Sequence, residues 1–392
     1  MAGDTESFED IDWDAERGGK TLLPRKYLAT AVTLLVLGMA FLYDYHYVPV
    51  REPTVPVLGW HVTQVDWLFL ATLIVLFYFV VVPLASNRRM TAYYWREFRK
   101  NTAAVVSLVY LIGIFVVGIA GPVFMEPPTL SLLEQYQPPV YTTVSANYPI
   151  QCVGEVTGAG GNRVCHGTWA HPLGTTHQGK DILTLVVYGM QVSMKVGLIA
   201  SLLIITIGTT VGAVAAYVGG LVDEVLMRYV DIQLVFPTFL LFLLLIYLFG
   251  ESLFMFIMVF GLTSWGGVAR LVRSEALQRR EEEYIVAADS AGASTGYVIW
   301  RHIIPNVSNT VITATTLLIP GLLLFEAGLA FIGLGDPSIP SWGQVIAAGR
   351  NYLDFAWWIS TMPGIFLFMT ILAFNFLGDA LRDALDPRST QE

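Results

Sequence analysis

"RREEEYIVAADSAGASTGYVIWRHIIPN", residues 279–306, is too polar over most of its length to lie in lipid, yet a long apolar run flanks it on each side. A helix crosses the hydrocarbon core with roughly 20 apolar residues. Working outward from this module, eight runs approach that length, at 27–43, 67–85, 102–123, 196–222, 232–250, 252–269, 308–332 and 355–378. With 55% hydrophobic and only 14% charged residues, and a mean hydropathy of +0.59, the chain reads as an integral membrane protein. The first run follows 26 polar residues without a small-residue cleavage site, so it reads as a retained span rather than a signal peptide.

Basic residues set the expected orientation. With a cytoplasmic N-terminus, 17 of the 22 Lys and Arg fall inside: four in 1–26, five in 86–101, Arg228, five in 270–301 and two after 378. Arg51, Arg163, Lys180 and Arg350 fall outside, and Lys195 lies at a membrane edge. Both termini are therefore expected in the cytoplasm. Seven acids crowd the first 16 residues, and the net charge of −9 argues against a nucleic-acid partner. Acid-rich, lysine-poor soluble parts point to a salt-loving organism.

Residues 86–101 are basic and aromatic. They read either as a helix lying at the cytoplasmic interface, with Tyr93, Tyr94 and Trp95 at headgroup depth, or as a plain charged anchor. Segment 124–190 is the largest extracytoplasmic stretch and holds the only cysteines, Cys152 and Cys165. On the oxidising side these read as a disulfide closing a loop without a core of its own. A metal site using His166, His171 and His177 is the alternative, and no ligand spacing supports it. "GTTHQGKD" (174–181) approaches a phosphate-binding loop, but Asp181 stands where Ser or Thr should hold Mg²⁺. No other stretch fits a nucleotide site, so the chain is expected to hydrolyse nothing itself. Gly208, Gly212, Ala216 and Gly220 recur every four residues, a small-residue face for close helix packing in lipid.

Within the opening module, Glu281, Glu282 and Glu283 suit a helix N-terminus. Tyr284, Ala287, Ala288 and Ala291 share one helical face. That stripe is shallow and alanine-rich, suited to a narrow protein groove rather than to lipid. Gly292 is expected to stop the helix in a left-handed conformation. Ser294 then caps a second short helix reaching Ile304, ended by Pro305.

The text "AADSAGASTGYVIWRHIIPN" is similar to the cytoplasmic signature of ABC-importer permeases: two alanines, a glycine four residues on, and a proline thirteen beyond. "HPLGTTHQGKDILTLVVYG" (171–189), "GGLVDEVLMRYVDIQLVFPTFLL" (219–241), "EAGLAFIGLG" (326–335), "PSWGQVIAAGRNYL" (340–353) and "FNFLGDALRDALDPR" (374–388) resemble one branch, the second permease subunit of dipeptide and oligopeptide importers. The likeness runs from about Tyr93 to Arg388. It implies an all-α membrane protein with a six-helix permease core, here 102–123 and 191–388, its coupling helices at 281–305. Two additional N-terminal transmembrane helices (27–85), an acidic tail (1–26) and a short C-terminal tail (389–392) complete the chain.

By the same resemblance, Glu283, Tyr284, Ala287, Ala288, Gly292 and Ala293 make or shape the surface that docks in an ATPase subunit. The implied partners are two ABC ATPases, a second homologous permease, an extracytoplasmic substrate-binding protein and the bilayer. ATP and Mg²⁺ would sit on the ATPases, and no cofactor on this chain. The cargo implied is a di- or oligopeptide; relatives of this architecture also carry nickel complexes or sugars. An ion-coupled secondary transporter would call for duplicated halves with broken helices and mid-membrane acids, a pattern this sequence lacks. Three positions depart from the family pattern: Val286 replaces a frequent acid, Lys180 a commoner Arg, and the first 90 residues add spans the core lacks. Glu326, the clearest acid within a span, either faces the pathway, where it would meet a peptide amine, or caps or pairs within an outer gate segment; the second reading is favoured. Asp223, Glu224, Arg228 and Asp231, between the fourth and fifth runs, are expected to pair with one another or to touch the ATPase edge.

Overall fold

The computed structural model describes residues 25–49, 52–54 and 60–385. Nearly all of the acidic 1–26 segment and the 389–392 tail lie outside them. The chain divides into two compact units, residues 1–63 with 70–87, and 64–69 with 88–392. In the first, α1 (Arg25–Tyr47) carries Thr33, whose hydroxyl lies 3.1 Å from that of Tyr78, and Tyr27 meets Phe79 edge-on. The helix α2 (Gln64–Ser86) contains a π turn at Phe77–Val81.

The second unit holds a short α3 (Arg88–Phe98) and then the six-helix core. The core starts with α4 (Thr102–Phe124), N-capped by Asn101, whose side chain accepts from Ala104 N–H. Next comes α5 (Ile182–Val218), with Asp181 as its cap, accepting from Thr184 N–H at 2.9 Å. At about 1.5 Å per residue this helix runs about 55 Å, well beyond the hydrocarbon core. The loop expected over 124–190 accordingly ends at Asp181. Residues 182–194 are themselves largely apolar; the charge of Lys195, which Asp66 meets in the fold, is what separates them from the expected run at 196.

The expected span 232–250 is a broken pair, α6 (Gly220–Val235) and α7 (Thr238–Phe249), bent by 70°. Pro237 forces the preceding Phe236 into an extended conformation, φ −65° and ψ 130°. The pair still traverses the protein: Gly219, at its start, lies beside the Arg280 guanidinium, and Leu253 N–H, just past its end, donates to Asp336 on the opposite face. Gly219 (φ +68°) ends α5, so Gly220 opens α6 and leaves the small-residue stripe. The next span joins α8 (Leu253–Thr263) to α9 (Gly266–Arg280), which packs along α5.

A short α10 (Glu283–Ser290) leads to α11 (Thr295–Phe331), then α12 (Trp342–Gly349) and α13 (Trp358–Leu385). Among the described residues, seven helices and the bent pair satisfy the length and hydropathy of a span, giving the six-helix core plus two N-terminal spans.

Segment 125–181 is not all loop. It folds into a three-stranded antiparallel sheet of β1 (Thr143–Ser145), β2 (Val156–Thr157) and β3 (Val164–His166), ordered β1-β3-β2. Cys152 and Cys165 are disulfide-bonded. The buried Gln137 amide secures both flanks of Cys152, donating to Gln151 O at 2.6 Å and accepting from Val153 N–H at 3.0 Å. Fully buried Thr175 then ties this region to the helices, donating its hydroxyl to Glu134 O while Trp358 Nε1 donates to Thr175 O at 3.1 Å. The three histidines are engaged apart from one another. His166 bonds Thr157, His171 bonds Asp181 at 2.9 Å, and His177 stacks on Tyr352.

One ion pair is buried at the start of α2: Lys195 Nζ lies 2.6 Å from Asp66 Oδ1, with side chains 12% and 6% exposed. Both residues belong to the second unit. Removing one charge leaves the other desolvated, a cost of about 3–5 kcal/mol. Lys195→Met is therefore expected to lower the unfolding free energy of the detergent-solubilised chain by that amount, and Asp66→Lys with Lys195→Asp to recover most of it. A titration effect is also expected outside the spans. Burial, and then Lys180, hold the His177 pKa below its ordinary value. Its stabilising contribution is full above about pH 6.5 and is lost as pH falls below that, because the unfolded chain takes up the proton more readily. Melting of the wild type should shift downward from pH 7.5 to 5.5, by less in His177→Gln.

Candidate functional site: the polar module at the end of α9

The module leaves α9 through Glu281 and Glu282 and forms α10, eight residues long. Its C-terminus is a Schellman motif: Gly292, at φ +81°, donates N–H to Asp289 O at 2.9 Å, and Ala293 donates to Ala288 O at 3.1 Å. A Cβ at Gly292 would meet no atom within 4 Å, so glycine is required by backbone conformation, not by space. Ser294 then caps the next helix, accepting from Tyr297 N–H.

This second helix does not stop at Pro305. It continues as α11 to Phe331, through a π turn at Ile299–Ile303. Proline has no N–H for the carbonyl four residues back, and the widened turn immediately before it absorbs the mismatch. The polar module and the span are one rod.

Two contacts that the sequence reading missed fix α10 in place. Ile285, on the side away from the alanine stripe, is 1% exposed. The Tyr217 hydroxyl, from the last turn of α5, donates to Asp289 Oδ1. Nearby, Arg280 Nη1 donates to Ala216 O at 3.2 Å. Ile285 was visible as the one large aliphatic opposite the stripe; Tyr217 is 72 residues from Asp289, and no local pattern joins them.

With α10 anchored, Glu283, Tyr284, Ala287, Ala291 and Gly292 are exposed, and Ala288 and Ala293 are half-buried. Val286, 55% exposed, widens this face. Tyr284 and Tyr297 both lean on the His302 ring, at 6.2 and 5.7 Å between centroids. The surface is shallow, mostly small-residue and rimmed by acids.

Behind the module, α5 and α9 meet at the small residues. A Cβ on Gly208 would fall 2.8 Å from Val268, and one on Gly212 only 2.4 Å from Ala269 O. Asp223 and Asp231 of α6 do not pair within their own cluster as expected; they bond Arg273 and Arg270 of α9, Asp223 accepting from Arg273 Nε at 2.5 Å. Only Glu224 and Arg228 pair locally, at 3.8 Å. The arginines lie across a helix–helix seam that local sequence does not show.

At the far end of α11, Glu326 is 8% exposed and lies beside Ser341, whose side chain caps α12 by accepting from Gln344 N–H. It faces α12 rather than the cavity of about 510 Å³ on the neighbouring face of α11, lined by Phe239, Gly321, Leu324, Phe325, Gly328, Leu329 and Ile332. In segment 125–181, Asp181 holds the start of α5 and His171, so "GTTHQGKD" is built as a helix cap.

The positive φ at Gly292 generates a specific expectation. Gly292→Val forces a β-branched residue into the left-handed region, at a cost of about 1–2 kcal/mol; Gly292→Asn costs less. Hydrogen exchange of the 283–293 amides should rise about tenfold in the valine variant, with the asparagine variant between it and wild type.

Comparison with known proteins agrees with this architecture. Residues 208–391 match the family model of the binding-protein-dependent transport system inner membrane component, and residues 90–139 match the N-terminal TM domain of oligopeptide transport permease C. The chain is 34% identical over 299 residues to the dipeptide transport system permease protein DppC of Bacillus subtilis, covering 75% of this chain and 84% of that one. It is 34% identical over 294 residues to the oligopeptide transport system permease protein OppC of Escherichia coli, covering 75% and 89%. The OppC protein of Haemophilus influenzae is 39% identical over 219 residues, 56% of this chain and 70% of that one. Residues before 90 lie outside both family matches. With a signature module rigidly mounted between two spans and these likenesses over three-quarters of its length, the chain belongs to the binding-protein-dependent transport permeases, in their oligopeptide and dipeptide branch.

Proposed function

We propose that this permease forms half of a translocation pathway for di- or oligopeptides and takes up mechanical work through α10 from a separate ATPase. The observation that carries the reading is the rigid mounting of an exposed, small-residue face. Tyr284, Ala287 and Ala291 point outward, while Ile285, the Tyr217–Asp289 bond and the Gly292 turn hold the helix from behind. A loose helix would dissipate a partner's motion; this one transmits it to α9 and α11 together.

In this reading α10 and both termini are cytoplasmic, the disulfide-bonded sheet is extracytoplasmic, and the protein sits in the cell membrane. ATP and Mg²⁺ bind the two ATPase subunits, a second homologous permease completes the pathway, and a substrate-binding protein delivers the peptide. Glu326 belongs to the outer gate as a positioning group for α12, through Ser341.

Placing a large charge on the exposed stripe tests the coupling directly. Ala287→Arg is expected to reduce co-purification of the ATPase by at least about tenfold, the equivalent of about 1.4 kcal/mol, with the melting of the isolated permease unchanged. Undiminished ATPase association in that variant contradicts the assignment of this face.

A further inference from the structure

The helix α3 is covalently confined between two spans. Ser86 ends α2 two residues before Arg88 opens α3, and Phe98 closes it three residues before Asn101 caps α4. Eleven residues of helix are about 16 Å long, so both ends stay at the level where α2 and α4 enter the membrane. Phe98, 6% exposed, seats one side of α3 against Ala104 of α4 and Ala380 of α13. Trp95, 45% exposed, stacks on Phe98 at 5.9 Å between centroids.

Arg88, Arg89, Arg96 and Arg99 are exposed and form no ion pair among the described residues. The single acid of the helix, Glu97, is taken by Lys100 at 2.6 Å. Arg88 and Trp95 share one face of α3, with Arg89 and Arg96 beside it and Arg99 in the turn that follows. An indole between unpaired guanidinium groups, held at headgroup depth, is complementary to a phosphodiester with a glycerol backbone above its acyl chains.

We propose that α3 binds anionic phospholipid headgroups through Arg88, Arg89, Arg96 and Arg99. The inference rests on the membrane placement of α2 and α4 and is independent of the cargo and of the ATPase. It gives the 88–100 segment a selectivity for lipid charge that a simple anchor lacks, since an anchor needs only the positive sign of the segment during insertion.

The test uses the full chain in nanodiscs of phosphatidylcholine, of phosphatidylcholine with phosphatidylglycerol, and of phosphatidylcholine with soluble inorganic phosphate. Phospholipid retained after extraction and the melting temperature are measured in each. The wild type is expected to retain phosphatidylglycerol several-fold over phosphatidylcholine and to melt higher in its presence, with no effect of inorganic phosphate. The variant carrying Arg→Gln at all four positions should lose the preference, and Arg→Lys at the same positions should keep much of it. Should the glutamine variant fail to fold, the wild type at roughly 1 M salt serves the same purpose, because screening at a wet interface should abolish the preference. Equal retention of the two lipids by the wild type, a preference indifferent to salt, or an acidic protein that co-purifies on these arginines in place of lipid would each overturn the proposal.

Discussion

At Gly212 the backbones of α5 and α9 approach so closely that a methyl group would lie 2.4 Å from the Ala269 carbonyl oxygen. In lipid, where apolar side chains gain little by leaving the solvent, such a seam is held by dispersion and by the polar groups it brings within reach. Much of the module face follows from it. With α9 drawn against α5, Arg273 and Arg270 reach Asp223 and Asp231 on α6, and Arg280 reaches Ala216 O. Tyr217, five residues past Gly212, is thereby placed over α10, where it meets Asp289. A side chain at Gly212 would push α9 outward and disconnect α6 and α10 together.

Hydropathy found eight membrane crossings because burying backbone polar groups in lipid demands long helices, and that demand is written residue by residue. It does not see where a helix breaks. An average over 232–250 passes across Phe236–Pro237, although the proline bends the pair by 70°. The opposite error arose at Pro305. Read locally, it ends a helix; in the fold the π turn at Ile299–Ile303 carries the rod through. The cap at Ser294 and the turn at Gly292 were legible because both are local backbone chemistry. Ile285 was half-legible, and the partners of Asp223, Asp231 and Asp289 were not, since each lies on another helix.

Segment 125–181 illustrates the same division. Its composition showed a stretch too poor in apolar residues to build a core, and two cysteines that could brace it. The actual brace is wider than the disulfide. Gln137 holds the backbone on either side of Cys152, and Thr175 and Trp358 then join that region to the first turn of α13. Tyr148 stacks on Phe355 at 3.9 Å between centroids, and Tyr136 meets both Phe355 and Tyr352. The segment borrows its core from the loop that follows α12, so it is rigid only as far as that loop is.

The two faces are therefore joined by one continuous element. At about 1.5 Å per residue, the 37 residues of α11 run about 55 Å, from the Ser294 cap beside α10, past Glu326, which lies beside Ser341 at the start of α12, to Phe331. Within that rod the π turn is the place where the regular hydrogen-bond ladder is interrupted, and Pro305 keeps it from being repaired. A push on α10 meets a stiff seam on one side, α9 against α5, and a rod with one compliant turn on the other. Under the proposed coupling, force delivered to Tyr284 and Ala287 passes to α5 through the Gly212 contact with α9, and along α11 through the turn at 299–303. The seam and the rod then move together, α5 with α9 on one side and α12, beside Glu326, at the far end of α11.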